Sequence, residues 1–136
     1  MTLHWTIDPH RRLITLVADG NVARHEVEAF MDAMLEADAG AYRKLFDASG
    51  GTSDMNLDDL MALGVRARGM DSIGATGPLA IVEPDYDYER YAPLISLLAA
   101  AERPMKLFKT AARARAWLAQ PEIRDWRRRG RQRSPP

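Results

Sequence analysis

Leu3, Trp5 and Ile7 alternate with His4, Thr6 and Asp8, the period of two that lays one face of a strand on a core. After Asp8-Pro9-His10-Arg11, a second run from Leu13 to Ala18 is rich in β-formers, so the chain is expected to open with a β-hairpin. Asp19-Gly20-Asn21 breaks that run. Beyond it Val27, Phe30, Met31, Met34 and Leu35 recur at the spacing of a helix with one buried face, with Arg24, Glu28, Asp32 and Glu36 on the polar face. Tyr42 to Ala48 reads as a short strand and Ser49-Gly50-Gly51-Thr52-Ser53-Asp54 as a loop. The next helix opens near Asn56, the best N-cap, and Asp58 and Asp59 favour the positive end of its dipole. Its apolar positions are Leu57, Leu60, Met61 and Val65.

Leu79-Ala80-Ile81-Val82 is an apolar run of strand length bounded by turn and polar residues, the pattern of a parallel strand buried on two faces. A helix from about Tyr91 to Glu102 must hold Pro93 in its first turn, where the missing N–H is harmless. Met105 to Lys109 predicts the last strand. Thr110 then caps a helix from Ala111 to Ala119 that offers Ala112, Ala116 and Leu118 for packing, and Pro121 marks its end or a bend. This order predicts an α/β fold: a mostly parallel sheet with an N-terminal β-hairpin and about four helices packed on it.

A length of 136 residues suits one domain. The absence of cysteine excludes disulfides, thiolate chemistry and zinc sites of the Cys type. Met1 to Trp5 lacks a basic segment followed by an apolar run, and no stretch approaches the ~18 apolar residues of a membrane span. A cytoplasmic location is therefore expected. The net charge of zero conceals an asymmetry, because residues 122–136 hold six arginines against Glu122 and Asp125, leaving an acidic body before them. The chain is thus divided into a domain over residues 1–120 and a basic, Arg-rich extension over residues 121–136.

Three strings carry a family resemblance: Tyr42-Arg43-Lys44-Leu45-Phe46-Asp47-Ala48-Ser49, then Gly77-Pro78-Leu79-Ala80-Ile81-Val82, then Lys106-Leu107-Phe108 followed by Ala114-Arg115-Ala116-Trp117-Leu118. With the element order, they resemble the SpoIIAA-like branch of the STAS-fold family. The resemblance implies a STAS-like domain and a role in binding or signalling rather than catalysis. In the anti-sigma-factor antagonists of that family, Asp-Leu-Ser-Gly leads to a stretch whose serine is phosphorylated. Asp47-Ala48-Ser49-Gly50 is similar to the first part, whereas Met55-Asn56-Leu57-Asp58 stands in the second and offers no serine, so the phosphorylation switch is not carried over.

The segment Asp47 to Asp54 is the candidate ligand-binding site, with Asp47, Ser49, Gly50, Gly51, Thr52, Ser53 and Asp54 as its residues. Ligands of open α/β sheets bind beyond the carboxyl ends of strands, and a glycine turn before a helix can offer N–H groups to an anion. Against an anion, the segment lacks a lysine, and Asp54, Asp58 and Asp59 would repel phosphate. Ser49→Ala and Gly51→Ala are expected to change binding more than stability. Glu83, Asp85, Asp87 and Glu89, interleaved with Tyr86 and Tyr88, are oxygen donors of the kind a hard cation takes, but their spacing matches no loop motif. His4, His10 and His25 show no paired spacing. Methionines Met31, Met34, Met55, Met61 and Met70 are expected to pack in the core, with an adaptable binding surface as the alternative, and Trp5 and Trp117 are expected in the core or an interface.

The leading expectation is a non-catalytic STAS-like module that binds a protein or a small ligand at its strand-end loops, with no cofactor. The alternatives are a metal-dependent enzyme using Asp47, Asp54 and Glu83, and a carrier of lipid or another small apolar ligand. In the tail, Ile123 and Trp126 are expected to dock onto the domain or a second subunit, and a homodimer is the expected assembly. Contact of the tail arginines with nucleic acid is the disfavoured alternative.

Overall fold

The computed structural model describes residues 1–73, 76–84 and 103–126. Five strands form one sheet in the order β1 (Leu3–Asp8), β2 (Leu13–Asn21), β3 (Arg43–Thr52), β4 (Leu79–Val82) and β5 (Met105–Phe108). β1 runs antiparallel to β2, with Leu3 opposite Ala18 and Ile7 opposite Ile14, and the Asp8 carboxylate accepts the Arg11 N–H in the turn between them. β2, β3, β4 and β5 are parallel. The helices are α1 (Arg24–Glu36), α2 (Leu57–Ile73), α3 (Ala111–Leu118) and α4 (Pro121–Arg124). The expected hairpin and mostly parallel α/β sheet are therefore present. The helix expected over residues 91–102, with Pro93, lies outside the described residues. Among these, no helix is long and apolar enough to cross a membrane.

Strand alternation divides the core in two. Leu3, Ile14, Leu16 and Ala18 pack with Phe30 and Met34 of α1, while Leu45, Ala80 and Val82 pack with Ala114 and Leu118 of α3 and Ile123 of α4. All four residues of β4 are buried, as a strand covered on both faces requires. Trp5 meets Phe30 edge-on at 5.5 Å between ring centroids, and Trp117 meets Phe108 at 5.6 Å.

Two helices show faces other than those expected. Thr110 caps α3, accepting the Arg113 N–H at 3.2 Å, and this start turns Ala111, Ala114 and Leu118 inward, leaving Ala112 and Ala116 exposed. Residues 111, 114 and 118 share one helical stripe, which 112 and 116 do not. α2 carries apolar residues on two sides, so periodicity alone does not choose between them. Leu63 is buried and Met70 packs on the α1 cluster, whereas Leu57, Met61 and Val65 face outward. Asp59 and Arg66 on the flank of α2 reach Arg24 and Asp32 of α1.

Among the described residues, two ionisable side chains are buried. Glu26, in the first turn of α1, accepts the Thr2 N–H at 2.6 Å, the Thr2 hydroxyl at 2.7 Å, the Leu3 N–H at 3.2 Å and the Ala23 N–H at 3.1 Å. These donors, the Ala23 N–H foremost, hold its carboxyl down to about 2. Lys44 of β3 lies on the same face as Phe46, and its Nζ donates to the carbonyls of Gly40 at 2.7 Å and Tyr42 at 2.9 Å. Burial, with a smaller contribution from the Arg103 charge, lowers its ammonium to about 7. The same corner is closed by the Gly77 N–H donating to Gly40 O at 3.0 Å and the Lys44 N–H donating to Pro78 O at 2.8 Å. A Cβ at Gly77 would lie 2.2 Å from the Tyr42 carbonyl oxygen, so only glycine fits there.

These groups give opposite pH signatures. Glu26 has a folded pKa below its unfolded value of about 4.3, so its stabilisation is complete above that value and is lost as pH falls towards about 2. Glu26→Ala is expected to lower the melting temperature at neutral pH and to flatten the acid limb, as thermal melts across this range will show. Lys44 has a folded pKa of about 7, below the unfolded value of about 10.4, so the unfolded chain binds more protons between the two. Stability should rise with pH through that window, and urea titrations of Lys44→Met should lack this component of the rise.

Candidate functional site

The candidate segment begins where β2 and β3 lose their simple register. Val17 pairs with Asp47, but the next pairs are Asp19 with Gly50, Gly20 with Gly51 and Asn21 with Thr52, so the ladder shifts around Ala18. Ser49 to Thr52 therefore extend β3, rather than forming the loop expected of small and polar residues. The glycines allow it. A Cβ at Gly51 would lie 2.5 Å from the Ala18 Cβ, and one at Gly50 would lie 3.0 Å from the Ala18 carbonyl oxygen. Because Gly50, Gly51 and Thr52 are engaged in pairing with β2, they do not form a turn whose N–H groups converge on an anion.

Beyond Thr52 the chain is pinned to the end of β2. The Val22 N–H donates to Thr52 O at 2.8 Å, the Ser53 hydroxyl donates to Val22 O at 2.9 Å, and the Asp54 N–H donates to the Asn21 side-chain oxygen at 3.2 Å. Asn56 caps α2 as expected. Its Oδ1 accepts the Asp59 N–H at 2.9 Å, and the Asp59 carboxylate accepts the Asn56 N–H at 3.3 Å, a reciprocal pair that fixes the first turn.

Asp47 is half-buried at the start of this segment, and its Oδ1 accepts both the Ser49 N–H at 3.1 Å and the Ser49 hydroxyl at 2.5 Å. Ser49, Gly50, Thr52, Ser53 and Asp54 are exposed. The serine hydroxyl thus donates straight to the carboxylate, with no imidazole between them. His4 shares a cross-strand row with Val17 and Asp47, two strands away, which places its backbone about 10 Å from that of Asp47.

The structure does not gather Asp47, Asp54 and Glu83 into a metal site: among the described residues no three His, Asp or Glu side chains are grouped to hold an ion. Asp85, Asp87 and Glu89, with Tyr86 and Tyr88, lie outside the described residues. Of the methionines, Met34 is buried and Met61 is more than half exposed.

Two buried groups escaped the sequence patterns. Glu26 lies at this same sheet edge, tying residues 2 and 3 to α1; its signal was a carboxylate three residues after the cap, half of a reciprocal capping pattern whose other half Ala23 cannot supply. Lys44 lies at the opposite end of β3, where Arg43 precedes it and Asp47 follows three residues later, so no pattern of charge in the sequence marked it as buried.

No family model matches the chain, and no curated protein matches it. Among solved structures, an uncharacterised protein of the DUF3478 family from Shewanella loihica PV-4, with a SpoIIAA-like fold, aligns over 86% of this chain and 92% of its own length, with a TM-score of 0.57 and 17% identity. The fold is SpoIIAA-like. The resemblance carried by the β3, β4 and α3 strings therefore holds for the architecture. At this identity the likeness concerns the backbone alone and assigns no ligand to the SpoIIAA-like sheet edge described above.

The geometry separates the two substitutions that were expected to behave alike. Gly51→Ala would force its methyl against Ala18 and should cost about 2 kcal/mol by urea denaturation. Ser49→Ala removes an exposed hydroxyl and should stay within about 0.5 kcal/mol of the parent.

Proposed function

We propose that this chain is a non-catalytic binding or signalling module, and that a protein partner contacts the strand-end segment from Asp47 to Asp54. One observation carries the reading: the segment is mostly exposed, yet the Asp47 carboxylate, the Ser49 and Ser53 hydroxyls and the Asp54 backbone N–H are held by hydrogen bonds within the segment and to the end of β2. A surface ordered before contact loses little entropy on binding, which favours affinity. Asp47 and Asp54 supply negative charge and Ser49 a hydroxyl, a set that suits basic or hydrogen-bond-donating side chains. The Ser49–Asp47 hydrogen bond, and the dispersal of the carboxylates among the described residues, support binding over acyl transfer or metal-assisted hydrolysis.

The test compares the parent chain with the Asp47→Ala, Ser49→Ala double variant in pull-downs from native cell extract, followed by titration of any captured protein. The double variant is expected to melt close to the parent and to bind the captured protein about tenfold more weakly, a change of ~1.4 kcal/mol. Equal capture and equal affinity by both chains would remove this segment from the contact.

A further inference from the structure

Helix α2 presents an apolar stripe to solvent. Leu57, Met61 and Val65, spaced i, i+4, i+8, are 60%, 53% and 67% exposed. They begin three residues after Asp54 and lie along α2 rather than on β3. The other sides of the helix are engaged, because Leu63 is buried and Asp59 and Arg66 pair with Arg24 and Asp32 of α1.

The charges along this stripe indicate what covers it. Asp58 stands near its beginning and Arg68 near its end, both exposed and equally far from the level of Leu63. A second copy of the helix, reversed end for end about that level, brings Asp58 of each copy level with Arg68 of the other. The same reversal sets Met61 level with Val65, and Leu57 level with Gly69, where an added Cβ would meet nothing among the described residues within 4 Å. A parallel arrangement would instead set Asp58 against Asp58 and Arg68 against Arg68. Opposed macrodipoles also favour the antiparallel pair.

We propose that α2 forms the contact of a two-fold homodimer, antiparallel to its counterpart, with the Leu57, Met61 and Val65 stripe at the centre and Asp58–Arg68 pairs at both ends. One helix pair covers less area than the ~1,600 Å² of a standard interface, so the dimer depends on concentration.

Sedimentation equilibrium of the full chain over a wide concentration range tests this, with circular dichroism melts confirming that each variant is folded. The parent mass should rise from one chain to two. Met61→Glu should abolish the rise. Asp58→Arg and Arg68→Asp should each weaken the dimer about tenfold, because symmetry places the new like-charge pair at both ends. The chain carrying both exchanges should recover the parent affinity, and an equal mixture of the two single variants should form a mixed dimer tighter than either alone. A mass of one chain at every concentration overturns the proposal, as does a dimer that ignores Met61→Glu or a double exchange that restores nothing. A monomer that loses a captured protein on Met61→Glu also overturns it and gives the stripe to a different partner.

Discussion

The burial of Lys44 is the constraint from which the site end of the sheet follows. β3 lies between β2 and β4, and both faces of the sheet are covered at this level, so Lys44 has no solvent side. Its neighbour Leu45 fills the core under α3, and alternation sends Lys44 to the face of α1. The carbonyls of Gly40 and Tyr42 meet the amine there. A neutral amine has two hydrogens for those two acceptors, whereas the ammonium brings a third hydrogen and a charge to a dry place. The connection from α1 is thereby fastened to the first turn of the pleat, with Gly77 admitting no side chain beside it. Once the entry of β3 is fixed, pairing with β2 and β4 sets the height and facing of Asp47 and everything after it.

Most of the architecture was legible because single residues left little choice. Leu3, Trp5 and Ile7 could serve only a one-sided strand, and the unbroken Leu79–Val82 run only a strand covered twice. The end of β3 was not legible. Ser49 to Thr52 have the composition of a turn, and what makes them a strand is the irregularity around Ala18, a property of the paired strand across the sheet. α2 failed for another reason: Leu57, Met61 and Val65 form as good a helical stripe as the one that docks, and the choice depends on how the helix meets α1 and the sheet. Glu26 was hidden because its cap residue is alanine, and Lys44 because a strand sequence does not show which faces will be covered.

The strand order bears on where function can lie. From β2 to β5 every parallel neighbour follows in chain order, so among the described strands there is no point at which the winding reverses. Open α/β sheets bind small molecules in the crevice that such a reversal opens. At the carboxyl ends of β2 and β3 the sheet displays the Asp47–Ser49 pair, the pinned Ser53–Asp54 connection and the capped start of α2.

The close approach of Ala18 and Gly51 ties two distant positions of the chain to a single methyl group. There is room for that methyl on β2 or on β3, but not on both at once. Substitutions at residues 18 and 51 are therefore coupled in any lineage that keeps this sheet: an alanine can arise at position 51 once position 18 has become glycine, and the reverse order passes through a destabilised intermediate.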